Sequence, residues 1–216
     1  ALGRLYETGK GVAIDYKKAM LWYERAAAQG NKKSMVSLGA LYEKGLGARV
    51  DLEAAVKWYG QAAAAGSAEG QCALGIMYDH GRGVKQSYRK AYNLYLAAAQ
   101  QKYPKAMFYL AYMLQYGQGV EDNPEEAMKW YRMAAEAKDM DAAFHLGRLI
   151  ESGMVPASSG LQAQKWYLQA AQAGHTGAVD RLKELGIPIP LKRKEIPKDV
   201  KEKSQMQSAA SVSYHA

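Results

Sequence analysis

Apolar and small residues recur along this chain at helical spacing, and the pattern restarts every 36 residues. Residues 32–67 show one full unit. The segment KKSMVSLGALYEKG puts Ser34, Leu38, Leu41 and Tyr42 at offsets of zero, four, seven and eight, which share one helical face. A glycine-rich stretch, GLGARV, interrupts the spacing. The next segment, DLEAAVKWYGQAAAAG, puts Ala55, Trp58, Tyr59, Ala62 and Ala63 at offsets of zero, three, four, seven and eight. Each unit therefore predicts two amphipathic helices joined by a turn.

The second helix is nearly rewritten from unit to unit: LWYERAAAQG, KWYGQAAAAG, NLYLAAAQQK, KWYRMAAEAK and KWYLQAAQAG begin at residues 21, 57, 93, 129 and 165. The place of Ala55 is taken elsewhere by Ala19, Ala91, Ala127 and Ala163, and that of Tyr59 by Tyr23, Tyr95, Tyr131 and Tyr167. Alanine pairs at 26–27, 62–63, 98–99, 134–135 and 170–171 let neighbouring helices approach without loss of helix propensity. Leu94 stands where the other units have tryptophan, so bulk matters there more than the indole.

Helix boundaries repeat too. Asp15, Asp51, Ser87, Asn123 and Ser159 precede the second helices, and each can accept a bond from an orphan N–H of the first turn. Asn123-Pro124-Glu125-Glu126 reads as a capping box with proline in first position. Gly9, Gly45, Gly81, Gly117 and Gly153 end the first helices, and Gly30, Gly66 and Gly174 end second helices. Lys102 and Lys138 replace glycine in units three and four, so those two turns are expected to differ.

A fixed period of this length signals a repeat architecture, whose units bury their apolar faces only by stacking. The expected fold is all-α: a right-handed α/α superhelical solenoid of 36-residue helix-turn-helix repeats over residues 1–186, sharing one continuous core. Its last element, GAVDRLKELG, is expected to close the stack with Val179, Leu182 and Leu185. Residues 187–216 form a basic, proline-containing tail, in which Pro188 and Pro190 forbid a regular helix. The tail is expected to be extended and to act as a partner-binding segment, for its own groove or a neighbouring chain's. Ala1-Leu2-Gly3 matches Ser37-Leu38-Gly39, the middle of a first helix, so about half a helix is expected upstream. Any signal peptide would also lie upstream, which leaves the compartment open.

The pattern LGxxYxxGxGV, a polar link, then AxxWYxxAAxxG resembles the Sel-one-like repeat of the tetratricopeptide class. It is clearest in ALGIMYDHGRGV at 73–84 and AMKWYRMAA at 127–135. The resemblance implies a non-catalytic adaptor that holds protein partners. One bacterial branch of that family carries paired cysteines. This chain has only Cys72 and departs from that branch.

Composition narrows the chemistry. The chain is 49% hydrophobic and 23% charged, as a folded soluble protein is, and its single cysteine excludes an intrachain disulfide framework. The net charge of +8 includes +3 from the tail, and no basic helix or stripe points to nucleic acid. Weak membrane contact is open only to the tail. The glycine turns GKGV, GRGV and GQGV have no preceding strand and no following GKS or GKT, so they read as interhelix turns and not as phosphate loops. His80, His145, His175 and His215 lack metal-ligand spacing, and no cofactor is expected. Cys72 matches Val36, Phe108 and Phe144 in the other units and reads as a core residue. The Trp-Tyr repeats likewise read as core and not as a stacking platform.

Function is sought where the repeats disagree. One face of the first helix carries Ser37, Ala40 and Lys44 in unit two, then Ala73, Ile76 and His80, then Tyr109, Tyr112 and Tyr116, then His145, Arg148 and Ser152. In solenoids of helix pairs, first helices line the concave side. The expected partner site is therefore Ile76, His80, Tyr109, Tyr112, Tyr116, His145 and Arg148, which would bind a peptide or protein segment in the groove. Tyrosine and arginine dominate such interfaces. The alternative is a bacterial envelope module binding a polysaccharide or peptidoglycan fragment along the same aromatic face, with a lean to the periplasm or cell envelope.

Overall fold

The computed structural model describes residues 2–155 and 160–190. Eleven helices follow one another: α1 (Leu2–Thr8), α2 (Tyr16–Ala28), α3 (Lys32–Lys44), α4 (Leu52–Ala64), α5 (Ala68–His80), α6 (Tyr88–Gln100), α7 (Pro104–Tyr116), α8 (Pro124–Glu136), α9 (Met140–Glu151), α10 (Gly160–Gln172) and α11 (Thr176–Glu184). No strand occurs among the described residues. Each helix packs on its sequence neighbours, which builds the right-handed superhelix one helix pair at a time. The odd helices α3, α5 and α7 also approach one another across a unit, and no two even helices approach so closely. The odd helices thus line the inside of the curve, and the even helices stand outside.

The repeated caps do their predicted work. Oδ1 of Asp15, Asp51 and Asn123 and Oγ of Ser87 accept from the backbone N–H three residues on. Ser159 lies outside the described residues. The capping box at Asn123 is only half built. The Asn123 N–H donates to the Leu114 carbonyl at 2.8 Å, so it has no need of Glu126. The Glu126 carboxylate accepts from the Trp130 indole N–H at 3.3 Å and from the Asn123 side-chain amide at 3.5 Å.

Gly9, Gly45, Gly81, Gly117 and Gly153 all adopt positive φ, as helix ends of this kind require. Lys102 and Lys138 adopt it as well, at φ of 61° and 71°. This corrects the expectation that their turns differ. The Asn31 N–H donates to the Ala26 carbonyl; the Tyr103 N–H reaches Ala98 and the Asp139 N–H reaches Ala134 in the same way. Satisfying those carbonyls and seating the next helix outweighs the strain a Cβ meets in the left-handed region.

The buried residues of the core gather in two groups that meet on α5. One cluster runs from Ala19 to Ala62 and takes in Met77, and another holds Cys72 and runs from Ala91 to Leu182. They divide within α5, where Gly70 and Gly75 place backbone, and no side chain, against Ala62 and Tyr95. At the far end Ala178 and Leu182 are fully buried, but Leu185 is 39% exposed. The chain turns back after α11: the Ile187 N–H donates to the Leu182 carbonyl, and Ile187 and Ile189 pack on the core in its place. The expected extended tail at residues 191–216 lies outside the described residues.

Candidate functional site

The inner wall is fixed by one contact repeated in every unit. The tyrosine of the even helix crosses the preceding odd helix and donates its hydroxyl to the residue sixteen positions earlier. Tyr59 bonds Glu43 at 2.7 Å, Tyr95 bonds Asp79 at 3.3 Å and Tyr167 bonds Glu151 at 2.8 Å. Tyr23 uses Glu7 in the same way. The rings cover Gly3, Gly39, Gly75 and Gly147, where an added Cβ would stand 2.5–2.8 Å from ring carbons. Burial, aided in these four by the neighbouring acid, pushes the phenols up, to about 12 for Tyr23, so they stay protonated donors.

Unit four breaks this rule at both places. Ala111 stands where the others have glycine, and Gln115 where they have an acid; Gln115 accepts from Tyr131 at 2.9 Å. The wall is thus locally uncharged in the unit that carries the tyrosine cluster. There Tyr112 lies 4.6 Å from Tyr116, centroid to centroid, and 5.8 Å from His145. His145 also meets Phe108 edge-on at 5.3 Å and stacks on Tyr131 at 5.8 Å. Tyr116 keeps 47% of its surface open to solvent, and Tyr112 is half-buried beneath it.

The other residues expected at the site divide. Tyr109 stacks on Tyr95 at 5.0 Å and is half-buried, so it belongs as much to the core as to the wall. Ile76 packs against the second core cluster, also half-buried. Arg148 is exposed, with its guanidinium 6.0 Å above the Phe144 ring. His80 is exposed and makes no ring contact with the cluster; its Nδ1 lies 3.1 Å from the Ile76 carbonyl oxygen. Tyr112, Tyr116 and His145 are thus brought together, and Tyr109, Ile76, Arg148 and His80 stand around them.

Electrostatics keep the cluster uncharged. Burial, assisted by Arg148, pulls the His145 imidazole down to about 4, so it serves as a neutral aromatic ring. On one flank Lys105 pairs with Asp141 at 2.7 Å and lies over the Phe108 and Tyr109 rings. On the other, Arg181 holds Glu151 with two bonds and Glu184 with a third. The Arg181 bond keeps the Glu151 carboxyl below its ordinary value. A cleft of about 370 Å³ opens there among Phe144, Arg148, Glu151 and Arg181. Among the described residues no three His, Cys, Asp or Glu gather as a metal site, and no helix is long and apolar enough to cross a membrane.

Sequence reasoning missed Arg181 and Glu184, yet the signal was present. They stand 36 residues after His145 and Arg148, so the variable face continues onto the closing helix. It also read Phe108 only as core by its register with Cys72, although the ring braces His145 from below.

Comparison with known proteins gives a consistent result. The family model for the Sel1 repeat matches residues 1–31, 32–67, 68–103, 104–139 and 141–175. A Sel1 repeat protein of Oxalobacter formigenes is 31% identical, with a TM-score of 0.79 over 89% of this chain and 79% of that one. A protective antigen of uropathogenic Escherichia coli with an SLR fold is 30% identical, with a TM-score of 0.60 over 88% of this chain and 50% of its own. An immunity protein of Pseudomonas aeruginosa shares the fold at 20% identity and a TM-score of 0.51, over 75% of this chain and 60% of that one. No curated protein matches the chain. With five matched units in succession and the helix pairs they specify, this chain belongs to the Sel1 repeat family.

Proposed function

We propose that this protein is a scaffold that captures an extended protein segment along its inner wall, with Tyr112 and Tyr116 as the anchor. Sel1 repeat proteins serve generally as non-catalytic protein-interaction scaffolds, and the named relatives are bacterial. The observation that carries the reading is Tyr116, an aromatic ring left 47% exposed on the concave side and propped by Tyr112. Buried tyrosines elsewhere in the repeat are explained by packing; this one is not. A rigid aromatic ledge over a neutral wall suits an apolar or aromatic side chain of an incoming segment, at little entropic cost. Ile76 and Arg148 would extend the contact to either side, with Tyr109 as its floor and His80 at its edge.

The test is quantitative capture from the native extract with the wild type, with Tyr112→Ala/Tyr116→Ala, and with Met133→Ala on the outer surface as control. Loss of about 2 kcal/mol at an anchor lowers affinity roughly thirtyfold. The double variant should lose partners that the control retains; Tyr116→Ala alone, whose ring is the more exposed, should weaken capture while its thermal unfolding stays close to wild type. Equal recovery by all of them would remove the inner wall from the binding site. An envelope polysaccharide or peptidoglycan fragment is the second candidate occupant, favoured by the same exposed ring. Glycan-array binding with no recovered protein would select it and place the protein in the cell envelope.

A further inference from the structure

The outer surface carries a charged cleft that the inner-wall reading does not use. It lies between α8 and α10, has a volume of about 640 Å³, and is lined by Arg132, Glu136, Lys138, Lys165, Trp166 and Gln169, among others. Arg132, Lys138 and Lys165 are exposed, and among the described residues none has a carboxylate within ion-pair distance. Three cations facing one cleft with a single acid, Glu136, repel one another unless an anion lies between them.

Comparison of equivalent positions sets this cleft apart from its repeats. In the other units Arg132 is replaced by Glu24, Gly60, Leu96 and Leu168, and Lys138 by Gly30, Gly66, Lys102 and Gly174. The three cations therefore coincide only here. Lys138 also occupies the left-handed region, at φ 71°, where glycine would be unstrained. Lys102 shares that conformation in unit three, so the coincidence with Arg132 and Lys165, and not the backbone, marks the cleft. The cleft's width is fixed, because the Gln169 amide donates to the Ala135 carbonyl at 3.0 Å and ties the two helices together. Trp166, 9% exposed, also lines the cleft, with the Lys165 ammonium 5.7 Å from the ring centroid.

We propose that the cleft between α8 and α10 binds an acidic protein segment through Arg132, Lys138 and Lys165. The cations come from α8, the turn after it and α10, along an open trough of about 640 Å³. A trough of that size, with cations from three places along the chain, suits several carboxylates carried on a segment better than a single small anion. Arg132 supplies a forked donor set for one carboxylate, and the lysines supply point charges for its neighbours. The exposed part of Trp166 offers an apolar contact for the methylene groups between them. The site is on the opposite surface from the tyrosine cluster, so the protein could hold two partners at once.

Fluorescence anisotropy of a labelled hexaglutamate peptide, titrated with the full chain, tests this. Binding is expected to weaken steeply between about 50 and about 200 mM salt. Arg132→Glu/Lys165→Glu should weaken it about tenfold or more, because like charge then faces the peptide. Lys138→Gly should weaken it less, and Tyr112→Ala/Tyr116→Ala should leave it unchanged. If the charge-reversed variant unfolds, Arg132→Gln/Lys165→Gln serves in its place. Absence of binding by the wild type, or binding that survives both charge variants, overturns the proposal. So does displacement by inorganic phosphate at low concentration, which would mark a small-anion site, or tighter binding of duplex DNA through the same residues.

Discussion

The ring of Tyr59 occupies the space in which any side chain at Gly39 would have to begin: a Cβ there would lie 2.5 Å from Cε1 of the ring. Tyr59 cannot withdraw freely, because its hydroxyl is bonded to Glu43, which also pairs with Arg82 of the next unit. The same constraint holds at Gly75 under Tyr95 and at Gly147 under Tyr167. Glycine in mid-helix ordinarily costs stability, yet here it is what lets the odd and even helices close on each other.

Alanine at Gly39 or Gly75 should therefore destabilise the fold by about 1–3 kcal/mol, an overpacking cost against a gain in helix propensity of about 1 kcal/mol. Urea unfolding of Gly75→Ala measures it. Stability equal to or above wild type would show that the ring moves aside.

Lys102→Gly and Lys138→Gly should each stabilise the fold, by about 1 kcal/mol, because both lysines sit in the left-handed region without the freedom glycine has there. Thermal melting of the single variants measures this. The Lys138 variant is the more informative, since it should gain stability and lose affinity for an acidic peptide together.

Tyr109 and Tyr116 share a helix face but should respond differently to truncation. Tyr109→Ala removes a ring stacked on the fully buried Tyr95 and should cost about 2–3 kcal/mol. Tyr116→Ala removes a ring that is 47% exposed and should cost under about 1 kcal/mol. Parallel denaturation curves decide it, and equal losses would make Tyr116 structural.

Burial lowers the His145 pKa from the ordinary 6.5 to about 4. Between those two values the unfolded chain binds a proton that the folded chain refuses, so stability rises with pH. The contribution is complete above about 6.5 and is lost as pH falls through about 4, and it amounts to about 2 kcal/mol after allowance for partial solvent access. His145→Gln should flatten the dependence of the melting temperature on pH in that window. Asp141 and Glu151, held below ordinary carboxylate values by Lys105 and Arg181, lose their contribution at lower pH and should do so in both proteins.

The sequence by itself determined the repeat, the helix pairs, most caps and the glycine turns, because these depend on periodicity and on local backbone chemistry. It also marked the face that carries Tyr109, Tyr112, Tyr116, His145 and Arg148, since residues spaced by three and four share a side wherever the helix lies. Only the tertiary structure decided that His145 meets Tyr112 while His80 stays apart, since contact between units depends on how far each odd helix is rotated against the next. It also decided that Lys102 and Lys138 take the glycine conformation, because the packing of the next helix overrides a local preference worth about 1–2 kcal/mol. The joining of Arg132, Lys138 and Lys165 in one cleft has the same origin: they come from two units, and nothing short of stacking those units brings them to a common opening.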